Sequence, residues 1–218
     1  MMKINDWLVG CILVGWVGLA QAAEPLAAQQ VVRHTVDKVI AELAARRADI
    51  AAEPDLLYPL IQHTVVPAFD FERITRSAMG PFWRRATSVQ QAQLVQAFQT
   101  LLVRSYAQTL WLYPDPNITY LPVRISKDQQ KMLAPTRVVD TQGQAIPINY
   151  RLHRHPERSW LVYDVVVEGI SLITNYRSTF KSLIRQGAGQ ASDRSTRIAR
   201  GIDHLIQALQ VKNQSASS

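Results

Sequence analysis

Gly169-Ile170-Ser171 stands between a segment of strand-like alternation and one of helical periodicity, the setting in which a nucleophilic serine is held on a sharp turn. That elbow needs a second glycine two residues after the serine, where Ile173 stands, so Ser171 reads better as a helix N-cap. His153 and His155 would share one side of a strand end, as two metal ligands might. Only Glu157 or Asp164 lies near enough in sequence to be a third ligand. With Arg151, Arg154 and Arg158 around them, the two imidazoles read better as a solvated basic turn, and His34, His63 and His204 are scattered. The carboxylates Asp70, Glu72, Asp164 and Glu168 are spread over different elements, which leaves an acid–base pair open. There is no Gly-x-Gly-x-x-Gly and no Walker lysine. The one cysteine, Cys11, falls in the leader described next, so the rest of the chain has no thiolate or disulfide chemistry. No catalytic residue, metal site or cofactor is expected.

The elements that carry these residues begin after a leader. Residues 7–20 are almost wholly apolar and run into Ala20-Gln21-Ala22, a small-x-small cleavage site, so residues 1–22 read as a secretory signal peptide. The run is shorter than the roughly 20 residues of a spanning helix. A lipoprotein leader cut at Gly10-Cys11 is a weaker alternative, because a long apolar run would follow the cut. At 218 residues, with 47% hydrophobic and 19% charged content, the chain excludes collagens, coiled-coil rods and long disordered tails. Lys plus Arg is 24 against 17 for Asp plus Glu, a net +7. For an exported chain, that charge points to lipid phosphates rather than nucleic acid.

Residues 23–212 are expected to form a single domain with a helical block at 25–113, a sheet at 118–168 and helices at 170–210, before a flexible tail at 213–218. Val32, Val36, Val39, Ile40 and Leu43 make one helical stripe, and Leu56, Leu57, Leu60 and Ile61 another. Phe71, Ile74 and Ala78 follow, ending at Gly80-Pro81. Thr87-Ser88-Val89-Gln90-Gln91 resembles a capping box ahead of a long helix that stops at Pro114-Asp115-Pro116. The period then changes to two. Four strands at 118–125, 132–140, 145–152 and 160–167 suggest an antiparallel meander. Strict alternation in the last puts Leu161, Tyr163, Val165 and Val167 on one face and Trp160, Val162 and Val166 on the other. Gly187 to Arg200 reads as a flexible, basic connection.

Several blocks together resemble the toluene-tolerance (MlaC) family of periplasmic phospholipid carriers. They are Val66-Pro67-Ala68-Phe69-Asp70-Phe71-Glu72-Arg73, Gly80-Pro81-Phe82-Trp83-Arg84-Arg85-Ala86-Thr87, Phe98 to Tyr106, and Trp160 to Ser171. Tyr176-Arg177-x-x-Phe180 and Gly201-Ile202-Asp203-x-Leu205-Ile206 complete the set. The resemblance covers nearly all the chain after the leader and departs from the family at Gly187 to Arg200. It implies an α+β fold with a twisted antiparallel sheet, related to nuclear-transport-factor-2-like (NTF2-like) cones, and helices that enclose an apolar cavity. It also implies a phospholipid cargo and shuttling between an outer-membrane lipoprotein complex and an inner-membrane ABC transporter with a substrate-binding ring.

The lining expected for such a cavity is Ile148, Tyr150, Val165 and Val167 on the sheet, with Phe69, Phe71, Ile74, Met79, Phe98, Leu102 and Tyr106 on the helices. Ile170, Ile173, Tyr176 and Phe180 would close one side, and Arg76, Arg84, Arg85 and Arg177 are candidates for a headgroup rim. Gly80 and Gly169 are candidate hinges. For any single apolar residue, such as Phe98 or Val165, a packed core is the better reading. Two other functions compete: a secreted enzyme with Asp164 or Glu168 in the cavity, and an interaction protein with a solid core.

Overall fold

The structure is a computed structural model, and it describes residues 20–112, 116–139, 142–190 and 193–215. The expected leader falls almost entirely outside these. Seven α-helices are found among the described residues: α1 (Ala20–Ala45), α2 (Arg47–Ala52), α3 (Leu57–Thr64), α4 (Phe71–Met79), α5 (Ser88–Leu112), α6 (Leu172–Gly187) and α7 (Arg194–Ser215). Short 3-10 turns with a proline in the first or second position join the early ones: Pro54–Leu56, Val66–Ala68 and Gly80–Arg85. The capping box forms ahead of α5. The Gln90 N–H donates to Thr87 Oγ1 at 3.2 Å, and the Thr87 N–H donates to Gln90 Oε1 at 3.0 Å.

The sheet is antiparallel and has six strands, not four: β1 (Asn117–Tyr120), β2 (Arg124–Ile125), β3 (Lys131–Val139), β4 (Ala145–His155), β5 (Ser159–Val167) and β6 (Ile170–Ser171). Their order is β1-β3-β4-β5-β6, with β2 also on β3. The expected first strand is cut in two around Pro122, which has no N–H to give to the ladder. The added β6 comes from Glu168 and Gly169, whose φ angles of 50° and 83° make a two-residue hairpin turn. Ile170 and Ser171 thereby fold back onto β5, and helix α6 starts only at Leu172.

One irregularity decides which side chains share a face. Between Arg151 and Leu152 the β4–β5 register slips, so that Val165 faces Tyr150 but Val162 faces Leu152. Tyr163 is the extra residue. Strict alternation therefore fails in β5: Trp160 and Val162 share a face with Val165 and Val167, not with Val166. On that face Met132, Ala134, Leu152, Trp160 and Val162 pack with Val32 of α1. A second cluster joins α1, α2 and α3 to Val103 and Ala107 of α5. A third and larger one joins α4, α5, α6 and α7.

The basic part of the segment Gly187 to Arg200 is helical: α7 already begins at Arg194, where the Asp193 carboxylate accepts the Thr196 N–H at 2.9 Å. The helix runs to Ser215, beyond the expected fraying point, and the Asn213 side chain donates to the Ala97 carbonyl at 2.9 Å. Helices α6 and α7 approach closely at Gly201, where an added Cβ would lie 2.2 Å from the Ile184 carbonyl oxygen.

Candidate functional site: an apolar sheet face and a cationic cavity

The expected lining residues separate into two groups. On the sheet, Ile170 lies opposite Val167, and Val167 opposite Ile148. One step along, Val165 lies opposite Tyr150. Directly opposed residues share a face, so the five form one apolar surface. Its outer end is open, with Val167 40% and Ile170 68% exposed. Its inner end holds Tyr150, whose phenol is pushed up to about 12, chiefly by burial and further by nearby Tyr120. Tyr106 on α5 is 47% exposed. Burial raises its pKa and that of Tyr176, and Tyr106 adds to the shift at Tyr176.

The helical group is different. Phe71, Ile74, Met79, Phe98, Leu102, Ile173 and Phe180 are all buried in the large helical cluster, with Phe69 and Tyr176 against it. Phe98 is the hub, its ring 4.7 Å from Tyr176 and 4.8 Å from Phe180 between centroids. Apart from Phe69 and Phe71, which also border a cavity, these side chains hold the helices together. The proposed rim also disperses. Arg177 donates twice to the Ser77 carbonyl, at 3.0 and 2.8 Å, tying α6 to the end of α4. Arg84 and Arg85 are exposed on the 3-10 turn after α4, and Arg76 lines the cavity described below.

Two polar nodes flank the sheet. Asp164, 1% exposed, accepts from Arg151 Nη1 at 2.9 Å, from Ser171 Oγ at 2.7 Å and from the Ile173 N–H at 3.2 Å. Ser171 Oγ in turn accepts the Thr174 N–H at 3.2 Å. Asp164 and Ser171 thus cap α6, which accounts for both as structural groups. The second node joins residues 83 apart in sequence: His153 Nε2 lies 2.7 Å from Asp70 Oδ2, while Asp70 Oδ1 accepts the Arg73 N–H at 2.9 Å. The His153 imidazole is held below its ordinary range by burial and by the Arg73 guanidinium, which together outweigh the pull of Asp70.

Beside that node lies a cavity of about 620 Å³ between α4, α5 and the β4–β5 turn. Arg73, Arg76 and Arg158 bring positive charge to it, and Val66, Phe69 and Phe71 give it an apolar wall. Among the described residues, no three His, Cys, Asp or Glu side chains are placed to hold a metal. No helix among them is long and apolar enough to cross a membrane.

A family model described as MlaC protein matches residues 33–210. The chain belongs to the MlaC family. Toluene tolerance protein Ttg2D of Pseudomonas putida is 26% identical over 157 residues, which is 72% of each chain. A solved structure of a phospholipid-binding protein from Ralstonia solanacearum, in complex with a phospholipid, matches with a TM-score of 0.75 and 28% identity. The match covers 88% of this chain and 99% of that one. The blocks read from sequence therefore reflect membership in the MlaC family.

Within this MlaC-family chain, sequence reasoning missed Arg73 and Arg158 as cavity residues. Arg73 lies inside one of the family-like blocks and was within reach, since it falls three residues before Arg76 on one helix face. By sequence Arg158 belongs to a solvated basic turn. Only the contact of that turn region with α4 brings it to the cavity.

Proposed function

We propose that this protein is a soluble periplasmic phospholipid carrier. The observation that carries the reading is the open apolar row of Ile148, Val167 and Ile170, in a chain of the MlaC family. Large aliphatic side chains directly opposed across three strands, with Val167 and Ile170 left in water beside half-buried Ile148, favour an apolar occupant. The phospholipid held by the structural relative supports a diacyl lipid as that occupant.

A diacyl lipid has on the order of 30 methylenes, each costing about 0.8 kcal/mol to hydrate, so free passage through water costs more than about 20 kcal/mol. A carrier that shields the tails removes most of that cost and needs no chemistry. Lining by Ile148, Tyr150, Val165, Val167 and Ile170, with Tyr106 and Tyr176 at the side, leaves the buried helical cluster as the scaffold behind it. Tail entry then requires helices to part and enlarge an apolar cavity, within a sheet that curves like an NTF2-like cone around one domain spanning residues 23–212. Residues 1–22 direct export, and the partners are an outer-membrane lipoprotein complex and an inner-membrane ABC transporter with a substrate-binding ring. The competing enzyme uses Asp164 or Glu168, but Asp164 is occupied in capping α6 and Glu168 stands exposed in the turn between β5 and β6.

Native mass spectrometry of protein purified from cells, combined with transfer of a fluorescent phospholipid between two vesicle populations, tests the reading. One bound phospholipid or more, and transfer that rises with protein concentration, are expected. Protein without lipid that accepts none from vesicles would overturn it.

A further inference from the structure

The cavity beside His153 has a charge pattern that the apolar sheet face does not explain. Arg73, Arg76 and Arg158 line it, and among the described residues none of the three forms an ion pair with a carboxylate. The Arg73 guanidinium lies over the Tyr163 ring, 5.0 Å from its centroid, a contact that orients the group without cancelling its charge. Two carboxylates share the wall. Asp70 is taken up by His153 and by the first turn of α4, which leaves Glu72 alone, exposed, against three guanidinium groups. Such an excess of unpaired cations around a concavity lowers the energy of an anion placed there.

The shape narrows the anion. Guanidinium forks match the oxygens of a phosphate, and the Gln99 amide can add one more hydrogen bond. The other wall is apolar, with Val66, Pro67, Phe69 and Phe71, so a bare ion would leave it in water while a phosphate ester with a hydrocarbon portion would cover it.

We propose that this cavity is a phosphate-ester site in which Arg73, Arg76 and Arg158 hold the phosphate and Val66, Phe69 and Phe71 cover the adjoining hydrocarbon. This rests in part on the carrier reading, since the phosphate of a carried lipid and that of a soluble ester share the same chemistry.

The test uses delipidated full-length protein, its Arg73→Gln/Arg76→Gln double variant and its Arg158→Gln variant. The last lies on an exposed turn and leaves the helices untouched. Calorimetric titrations with dihexanoylphosphatidic acid, sn-glycerol 3-phosphate, inorganic phosphate and neutral dihexanoylglycerol are compared. Dihexanoylphosphatidic acid should bind the wild type and weaken about tenfold or more in each variant, with dihexanoylglycerol unaffected. Glycerol phosphate binding as tightly as the phosphatidic acid assigns the site to a soluble ester, and much weaker binding assigns it to a lipid. Equal binding of the phosphatidic acid by wild type and variants, or no phosphate probe bound at all, overturns the proposal. Loading of long-chain phospholipid from vesicles is followed in parallel. A wild type that loads lipid while the variants bind the probes normally refutes this site alone. A wild type that refuses lipid yet binds glycerol phosphate through these arginines refutes the carrier alone.

Discussion

Ile170 and Ile173 stand three residues apart, and the structure gives a glutamate at each a different fate. Ile170 is 68% exposed and Ile173 is 6% exposed. In the lipid-free protein, Ile170→Glu places its carboxylate in water and should alter stability by no more than about 0.5 kcal/mol. With a lipid seated on the sheet face, the same carboxylate must leave water. Covering an isoleucine side chain is worth about 1.5–3 kcal/mol, and at 68% exposure about 1–2 kcal/mol of that is still available to cargo. Desolvating an unpaired carboxylate adds several kcal/mol, for a total above about 4 kcal/mol and roughly a thousandfold loss of affinity. Ile173→Glu instead puts the charge into the helical cluster and should unfold the protein or lower its melting temperature sharply. Circular dichroism melting and mass-spectrometric counting of co-purified lipid separate the two. An Ile170→Glu protein that melts like the wild type and still carries the wild-type complement of lipid would refute the reasoning.

Two further outcomes follow from packing and charge. Helix propensity alone favours Gly201→Ala by about 1 kcal/mol, but the new Cβ would lie 2.2 Å from the Ile184 carbonyl oxygen. A net loss of about 1–3 kcal/mol is therefore expected, read as a melting temperature lower by about 2–4 °C per kcal/mol, and an unchanged or higher value would contradict the close crossing of α6 and α7. His153 is depressed from its ordinary value of 6.5 by burial and Arg73, so below that pH the unfolded chain binds a proton that the folded one resists. The stabilising contribution of neutral His153 is complete above about pH 6.5 and declines as pH falls through the window down to its folded pKa. Melting temperatures between about pH 7.5 and 5 should fall more steeply in the wild type than in His153→Gln, and parallel curves would count against the burial of that imidazole.

Local pattern alone was enough for much of the fold. The shift of period from 3.6 to 2 after residue 116 marks the passage from helices to sheet, and Thr87 with Gln90 marks the start of α5, because both signals act over a few residues. The same is true of Ser171, whose missing second glycine already argued for a cap. Strand number was less legible: β2 and β6 are two residues long and exist only because β3 and β5 lie beside them to accept their ladder bonds.

Tertiary structure alone decided which apolar residues face an open surface. Ile74, Phe98 and Phe180 have the same chemistry as Ile148 and Val167, and periodicity cannot distinguish a helix stripe facing other helices from a strand face left uncovered. The slipped register at Arg151/Leu152 is equally invisible in a string of β-branched residues, yet it moves Val165 and Val167 onto the face of Trp160 and Val162. The cationic cavity needs Asp70 and His153 brought together across 83 positions, a contact that no local spacing encodes. Sequence periodicity fixes what each segment can bury; only the packing of segments on one another determines what remains for a ligand to cover.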